Sequence, residues 1–216
     1  RGLGDVYKRQ SEDCGFRTTV IGAVNDFTQS VKEVENWYEK YHKEDGLTSY
    51  ELGFHAEYTT KREILEGISE LSKKYHAPIY THNSESASEV AQCVERTGMT
   101  PTVYMEQLGL FEYGGGLYHC VHMSEEDLDV VKRHQISVIT NPASNLKLAS
   151  GIAPIEEMLK RNIDLAIGTD GPASNNCLDM FREMFLVTAL AKYRENDASA
   201  VDAAAVSYTH LTLPTN

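Results

Sequence analysis

Histidine and carboxylate side chains follow several short apolar runs of this sequence, and these residue types bind metals and transfer protons. His55 follows one run, His82 and Glu85 follow the next, and His119 and Asp170 follow two later runs. Imidazole nitrogen and carboxylate oxygen are the ligands that a divalent ion such as Zn²⁺ selects, and a catalytic zinc keeps one position open for water. A single histidine at a strand end is more often structural, but repetition at several strand ends predicts a shared site.

The apolar runs alternate with longer amphipathic stretches, a pattern typical of alternating strands and helices. It predicts parallel strands joined by right-handed crossovers. Six such units without a glycine-rich dinucleotide turn favour an α/β fold that is a partial, distorted TIM barrel. Periodicity alone leaves a Rossmann sheet open. The predicted strands are Arg17 to Val24, Ser49 to Phe54, Ala77 to Thr81, Leu117 to Val121, Ser137 to Thr140 and Asp164 to Gly168.

Helix signals lie between these strands. Thr60 and Glu63 are spaced as a capping box, Ser124 is placed to cap a later helix, and Pro154 to begin another. A last helix is predicted from about Leu178 to Tyr193, with an apolar stripe that we expect in the core. The stripe consists of Met180, Phe181, Met184 and Phe185.

The composition limits the classes of partner. The chain has 216 residues, fewer than the roughly 250 of a complete barrel. Its 20 basic and 32 acidic residues give a formal charge of −12, which repels phosphate backbones and anionic lipid. We therefore expect a small-molecule substrate, with neither nucleic acid nor membrane as partner, and leave a homo-oligomer open. Four cysteines without CxxC spacing predict reduced thiols in a cytoplasmic protein, with Cys120 buried and inert.

One DNA element in two orientations can encode both ends of the sequence. Back-translation of Asp5 to Gln10 gives a reverse complement that, shifted by one frame, encodes Val206 to His210, and continues to Leu211 if the next bases are ct. This element resembles the transposon end used in sequencing libraries. We therefore interpret residues 1–10 and 206–216 as adapter-derived, and expect the partial barrel to cover residues 11–205.

Four longer motifs surround the candidate residues. They are His82-x-x-Glu85, His119-Cys-Val-His122, the block from Asn141 to Pro154 that begins Asn-Pro-Ala-Ser-Asn, and Gly168-Thr-Asp-Gly-Pro-Ala-Ser-Asn-Asn176. They resemble the amidohydrolase superfamily, and within it the methylthioadenosine/S-adenosylhomocysteine deaminases and their chlorohydrolase relatives. The resemblance extends over roughly residues 16–200. It implies one divalent metal, zinc first and iron as the alternative.

Carried over position by position, the resemblance assigns a role to each candidate residue. It makes His82 a metal ligand, Asp170 both metal ligand and base, and Glu85 the proton shuttle. His119 would hold the metal-activated water or the intermediate. The substrate contacts that it implies are His55, Glu85 and Ser174. The implied reaction is hydrolytic deamination of a cyclic amidine, with release of ammonia.

The same resemblance implies a His-x-His pair at the end of the first barrel strand, and the sequence contains no such pair. The run from Arg17 to Val24 resembles the third barrel strand. The predicted strands are then roughly strands 3 to 8, without the first strands and the flanking β-sandwich domain. Because His82 and Asp170 alone leave a metal site half built, we expect the chain by itself to be inactive.

Structural roles compete with these assignments. Glu85 could instead cap a helix that begins near Ser86, and His122 is expected to pack beneath the helices rather than bind metal. Other polar residues could serve only local hydrogen bonding or helix capping. They are Asn141, Ser144, Asn145, Asn175 and Asn176.

Three functions stay open at this point. The first is deamination of an adenine nucleoside, the second is hydrolysis of a triazine or guanine by a relative with the same metal chemistry, and the third is a truncated α/β protein without catalysis. The stretch from Gly22 to Val31 contains no arginine or lysine that could bind a substrate carboxylate. That absence favours methylthioadenosine or 5′-deoxyadenosine over S-adenosylhomocysteine.

Overall fold

The computed structural model describes residues 10–43 and 46–202, and their strands form one sheet in which every neighbouring pair is parallel. The strand order follows the chain: β1 (Thr18–Ile21), β2 (Thr48–Ala56), β3 (Ile79–Asn83), β4 (Gly115–His119), β5 (Ile136–Thr140) and β6 (Leu165–Ile167). The helices are α1 (Val31–Tyr41), α2 (Arg62–Tyr75), α3 (Ala87–Thr97), α4 (Pro101–Gln107), α5 (Glu125–Arg133), α6 (Pro142–Lys147), α7 (Ile155–Lys160) and α8 (Met180–Glu195). This architecture confirms the predicted partial TIM barrel.

All six predicted strands are confirmed, with shifted ends. Val24 lies beyond β1 but still pairs with Phe54 as an isolated bridge. The fourth strand ends at His119 rather than at Val121, because His119 and Cys120 have φ values of 69° and 49°. A left-handed backbone cannot continue an extended strand. The residues after His119 therefore form a loop, and the alternation expected along a strand does not apply to them.

The core lies between the sheet and the helices that cover its outer face. Helix α2 packs on β2 and buries Leu65, Ile68 and Leu71, which recur at helical spacing on one face. Each fully buried leucine or isoleucine side chain stabilises the fold by about 1.5–3 kcal/mol relative to an exposed one. This packing fixes the sheet, and the sheet in turn fixes the positions of the strand ends.

Serine caps start several of the helices that return the chain to the sheet. Ser86 and Ser124 each form a capping box, with Glu89 and Asp127 respectively. The capping box predicted at Thr60 is wrong, because helix α2 begins after residue 61 without a side-chain cap. The Thr60 hydroxyl donates to the carbonyl of residue 56 at 2.8 Å, where it closes a single 3₁₀ turn.

The apolar stripe of the last helix is not a core stripe, contrary to the sequence prediction. Phe181 and Phe185 are 76% and 68% exposed, and Met180 is also exposed. Met184 alone of the stripe packs partly against the core. Apolar residues occur on more than one face of α8, so that periodicity could not identify the inward face. Its buried residues are Glu183, Val187 and Ala191.

Apart from residue 10, both segments interpreted as adapter-derived lie outside the described residues. Within the described ranges, no helix has the length and apolar character needed to cross a bilayer.

Candidate active site

The predicted site residues lie at the carboxyl ends of parallel strands, which share one edge of the sheet. His55 and His82 are the second-last residues of β2 and β3, His119 ends β4, and Asp170 follows β6. The β3–β4 register places Asn83 directly opposite His119. The fold therefore brings to one edge the side chains that the sequence separates by more than a hundred residues.

His82 is oriented by the neighbouring strand. Its Nδ1 lies 2.6 Å from the carbonyl oxygen of His55, and the centroids of the two rings are 4.9 Å apart. Because a carbonyl oxygen only accepts, Nδ1 of His82 carries the proton and Nε2 keeps its lone pair. Burial lowers the pKa of His82, although the hydrogen bond to His55 acts in the opposite direction. The ring is thus a neutral imidazole with a free nitrogen, the form that binds metals.

His119 is almost completely buried between an amide and a carboxylate. Its Nδ1 lies 2.7 Å from Oδ1 of Asn145, to which it donates. Its Nε2 lies 3.8 Å from Oε2 of Glu85, which is too long for a direct hydrogen bond. The ring stacks on His82 with centroids 5.4 Å apart. The two atoms are close enough for one polar group of a ligand to contact both of them.

Asp170 is surrounded by three hydrogen-bond donors. The hydroxyls of Ser144 and Ser174 donate to its Oδ2 at 2.6 and 2.7 Å, and the Gly171 amide donates to its Oδ1 at 2.6 Å. Burial by itself raises the pKa of Asp170, but the hydrogen bonds outweigh this effect and hold the pKa below its usual value. The carboxylate is therefore ionised at neutral pH.

Four residues at or just after these strand ends have a left-handed backbone conformation. Ser84, His119, Cys120 and Asp170 all have positive φ values, between 48° and 69°. Such a conformation costs a residue with a side chain about 1–2 kcal/mol. Backbone hydrogen bonds between neighbouring loops offset this cost, for example from the amide of His122 to the carbonyl of Ser84 at 2.9 Å. The strain thus turns the loop after β4 towards the loop after β3.

Glu85 lies between β3 and α3 but does not cap the helix. Ser86 is the N-cap, and the Glu85 amide itself donates to the Glu89 carboxylate at 2.9 Å. The Glu85 side chain instead accepts a hydrogen bond from Ser150 at 3.2 Å. Its carboxylate is therefore available to the site, on the same side as His119.

Two residues considered for loop bonding belong to this site. Ser144 and Asn145 lie in the first turns of α6, where they contact Asp170 and His119. The sequence carries a signal for this placement, because Asn-Pro-Ala-Ser-Asn follows a strand directly and proline favours the first helical position. A helix that begins at a strand end presents its first turns to the same edge as the strand.

Glu183 is a site-supporting residue that sequence analysis did not identify. It is fully buried in α8, where its carboxylate accepts from the Ala143 amide at 3.0 Å and from Nδ2 of Asn175 at 2.7 Å. The same Asn175 amide group donates to the carbonyl of Thr169 at 2.8 Å, beside Asp170. No local pattern marks Glu183, because its partners lie on other elements.

Two further expectations need correction. Asn175 and Asn176 do not cap α8, because Asp179 is the N-cap and accepts from the amides of residues 181 and 182. His122 does not pack beneath the helices: it lies partly exposed in the loop after β4, where its Nε2 is 2.7 Å from the carbonyl oxygen of Ser150. Its position follows from the early end of β4.

The donor atoms at this edge match part of a zinc site. His82 offers a neutral ring nitrogen and Asp170 an ionised carboxylate, the donors that zinc selects. Within residues 10–43 and 46–202, however, no three His, Cys, Asp or Glu side chains are grouped so that they could hold a metal. Since a catalytic zinc takes three protein ligands, these two residues fit a ligand set that needs a further contribution.

Comparison with protein families gives one extended match. The model of the amidohydrolase family matches residues 5–209, most of the chain. The chain belongs to the amidohydrolase family. The resemblance inferred from the four motifs is thereby confirmed.

Relatives and solved structures extend this result. The amidohydrolase is 42% identical over 176 residues to a 5-methylthioadenosine/S-adenosylhomocysteine deaminase of Caldanaerobacter subterraneus, covering 81% of this chain and 41% of the relative. It is 42% identical over 142 residues to a 5′-deoxyadenosine deaminase of Methanocaldococcus jannaschii, covering 65% and 34%. A zinc-bound adenosine deaminase from Xanthomonas campestris superimposes with a TM-score of 0.88 at 33% identity, covering 95% of this chain and 48% of that chain. The chain spans less than half the length of each of these proteins.

Proposed function

We propose that this chain forms part of the active site of an enzyme that deaminates an adenine nucleoside by hydrolysis and releases ammonia. The observation that carries the proposal is the convergence of Glu85, His119 and Asp170 at one sheet edge, with Glu85 and His119 3.8 Å apart. Two carboxyl groups beside an imidazole can move the protons that such a hydrolysis requires. The relatives described above are named as deaminases of adenosine or its derivatives, which supports the same substrate class.

A divalent metal, zinc in the first place, would be held by His82 and Asp170 together with ligands from outside these 216 residues. When bound, zinc lowers the pKa of a water molecule and thereby supplies a nucleophile at neutral pH. The resemblance to the amidohydrolases implies a His-x-His pair, and a catalytic zinc needs at least three protein ligands. We therefore predict that the full-length gene encodes this pair about 100–150 residues before His82. Long-read sequencing across both ends of the chain tests this prediction, and a continuous upstream frame without the pair would contradict it.

The chain's own residues account for the proton transfers. Hydrolysis breaks the bond between the ring carbon and the exocyclic nitrogen and forms a bond from that carbon to the oxygen of water. Glu85 takes one proton from the water and delivers it to the ring nitrogen, so that it acts as a shuttle. His119 commits Nδ1 to Asn145 and offers only Nε2 to the reacting groups. Asp170, being ionised, accepts the second proton of the same oxygen and passes it to the amino group, which leaves as ammonia and returns both carboxylates to their starting state.

The substrate contacts extend the proposal to two further residues. His55 lies beside His82, with Nδ1 2.9 Å from the Thr59 hydroxyl, and Ser174 lies beside Asp170. We propose that both touch the nucleoside, because their neighbours are the groups that act on it. Ser174 would then hold Asp170 and face the substrate with the same hydroxyl.

The decisive test separates proton transfer from metal binding in the full-length protein that contains this chain. Glu85→Gln should retain zinc and lower kcat by about 10² to 10⁴, the usual contribution of a general acid or base. Asp170→Asn should lose both zinc and activity. The exposed Glu70→Gln serves as the control and should change neither. Zinc content and ammonia release are measured side by side. A zinc-loaded wild type that releases no ammonia from any adenine nucleoside would overturn the proposal.

Substrate choice gives a second prediction. A ligand carboxylate near Gly22 to Val31 finds no guanidinium or ammonium in that stretch and forgoes about 1.5–3 kcal/mol of charge-assisted hydrogen bonding. Methylthioadenosine and 5′-deoxyadenosine should therefore show kcat/KM at least about tenfold above that of S-adenosylhomocysteine, since 1.4 kcal/mol already gives that ratio. Ammonia release from the three nucleosides is compared in one assay. Equal efficiency with S-adenosylhomocysteine would refute the argument from charge.

A further inference from the structure

The loop between α6 and α7 reaches Glu85 from across the site. Ser150 is 9% exposed, and its hydroxyl donates to Oε1 of Glu85 at 3.2 Å across 65 positions of sequence. The backbone holds Ser150 in place, because its amide donates to the carbonyl of Asn145 at 2.8 Å. The position of the hydroxyl is thus fixed by the backbone. It binds Oε1 of Glu85, whereas Oε2 of the same carboxylate faces His119.

His122 fixes the other side of Ser150. Its Nε2 lies 2.7 Å from the carbonyl oxygen of Ser150, and since a carbonyl only accepts, Nε2 is the donor. The amide of His122 also donates to the carbonyl of Ser84, the residue before Glu85, at 2.9 Å. A closed connection therefore runs from Glu85 through Ser150 and His122 back to the backbone next to Glu85.

Gly151 allows this connection to close. Its φ of 126° suits only glycine, and a Cβ there would lie 2.9 Å from Cγ1 of Val121 and 3.7 Å from Nε2 of His122. The loop therefore approaches Val121, the neighbour of His122, more closely than a residue with a side chain could. A packing role alone would not require the imidazole nitrogen to face the Ser150 carbonyl.

We propose that Ser150 and His122 act as a positioning pair that keeps the Glu85 carboxylate directed towards His119. The inference rests on the proposed role of Glu85 in proton transfer. Neither member of the pair touches the reacting atoms: Ser150 restricts the rotation of the Glu85 carboxylate, and His122 restricts Ser150. Because misplacement of a reacting group by about 1 Å can cost about a hundredfold in rate, loss of the pair acts on kcat rather than on KM.

Steady-state kinetics with methylthioadenosine in the full-length protein provide the first test. Ser150→Ala should lower kcat at least about tenfold and leave KM within about twofold, and Ser150→Thr, which keeps the hydroxyl, should restore most of kcat. Ser69→Ala is the matched control, since Ser69 is also buried but its hydroxyl has no partner among the described residues. An unchanged kcat in Ser150→Ala refutes the pair, whereas an inactive wild type refutes the proposed function instead.

A double-mutant cycle and a spectrum provide the second test. His122→Phe removes the donor and retains a ring, and its effect on kcat should not add to that of Ser150→Ala, because both variants break one connection. Additive losses contradict the proposal. In the 216-residue chain itself, the ¹⁵N shifts of the His122 imidazole should show the proton on Nε2. A ring protonated on Nδ1 alone would overturn the proposed hydrogen bond whatever the activity.

Discussion

The fully buried carboxylate of Glu183 offers a quantitative test of how the site is supported. It accepts the amide of Ala143 at 3.0 Å and the side-chain amide of Asn175 at 2.7 Å. Ala143 lies in the first turn of α6, where backbone amides have no acceptor within the helix, and Glu183 supplies one from α8. The side chain thus joins α6, α8 and the loop that carries Asp170.

The substitution Glu183→Ala leaves the two donors, the Ala143 amide and the Asn175 side chain, buried without an acceptor. A hydrogen bond to a charged group contributes about 1.5–3 kcal/mol, so that two of them predict a loss of about 3–6 kcal/mol in the free energy of unfolding. Glu183→Gln keeps one acceptor oxygen but places an amide group against a donor, and should lose about 1.5–3 kcal/mol. The exposed Glu195→Gln in the same helix should change stability by less than about 0.5 kcal/mol.

Urea unfolding followed by circular dichroism measures these differences, and hydrogen exchange locates them. The amide of Ala143 should lose protection in Glu183→Ala before amides of the sheet do, because it alone loses its acceptor directly. A loss of less than about 1 kcal/mol, or unchanged protection of Ala143, would show that Glu183 does not support α6 as the hydrogen bonds indicate.

Two predictions concern the reactivity of a thiol and the surface of α8. Burial raises the pKa of the Cys120 thiol to about 12. Iodoacetamide at pH 8 should therefore alkylate the exposed Cys14 and leave Cys120 unmodified until the chain unfolds, which intact-mass spectrometry measures. Modification of both thiols at equal rates would contradict this prediction. Because their side chains are exposed, Phe181→Ser and Phe185→Ser should each change the free energy of unfolding by less than about 0.5 kcal/mol, whereas Val187→Ala should cost about 1–3 kcal/mol in the same denaturation experiment. Equal losses of unfolding free energy in the three variants would show that the apolar stripe does belong to the core.

The sheet was predictable from sequence because burial imposes a simple pattern on it. Parallel strands covered by helices give short apolar runs, and the amphipathic stretches between them give the connections. The end of β4 was not predictable in this way. His119 and Cys120 have ordinary strand-forming neighbours, and their left-handed conformation is maintained by contacts with the loop after β3 rather than by residue type. Local patterns do not contain that information.

The candidate site likewise has one part that the sequence predicts and one part that it does not. The positions of His82, His119 and Asp170 follow from the rule that active-site residues of barrels lie at the carboxyl ends of the parallel strands. The groups that orient them come from other elements, such as Asn145 for His119 and Ser144 for Asp170. Such pairs depend on how the helices dock, and a single sequence carries only indirect signals for them.

The hydrogen bonds at the two stacked imidazoles determine which ring atoms face the site. His82 and His119 each commit Nδ1 as a donor, to the His55 carbonyl and to the Asn145 side chain. For His82, whose pKa is lowered by burial, Nε2 is then the free acceptor. For His119, Nε2 is the ring nitrogen on the side of Glu85. The hydrogen bonds to Nδ1 therefore do more than orient the rings, because they determine which atom of each ring any bound ion or substrate can meet.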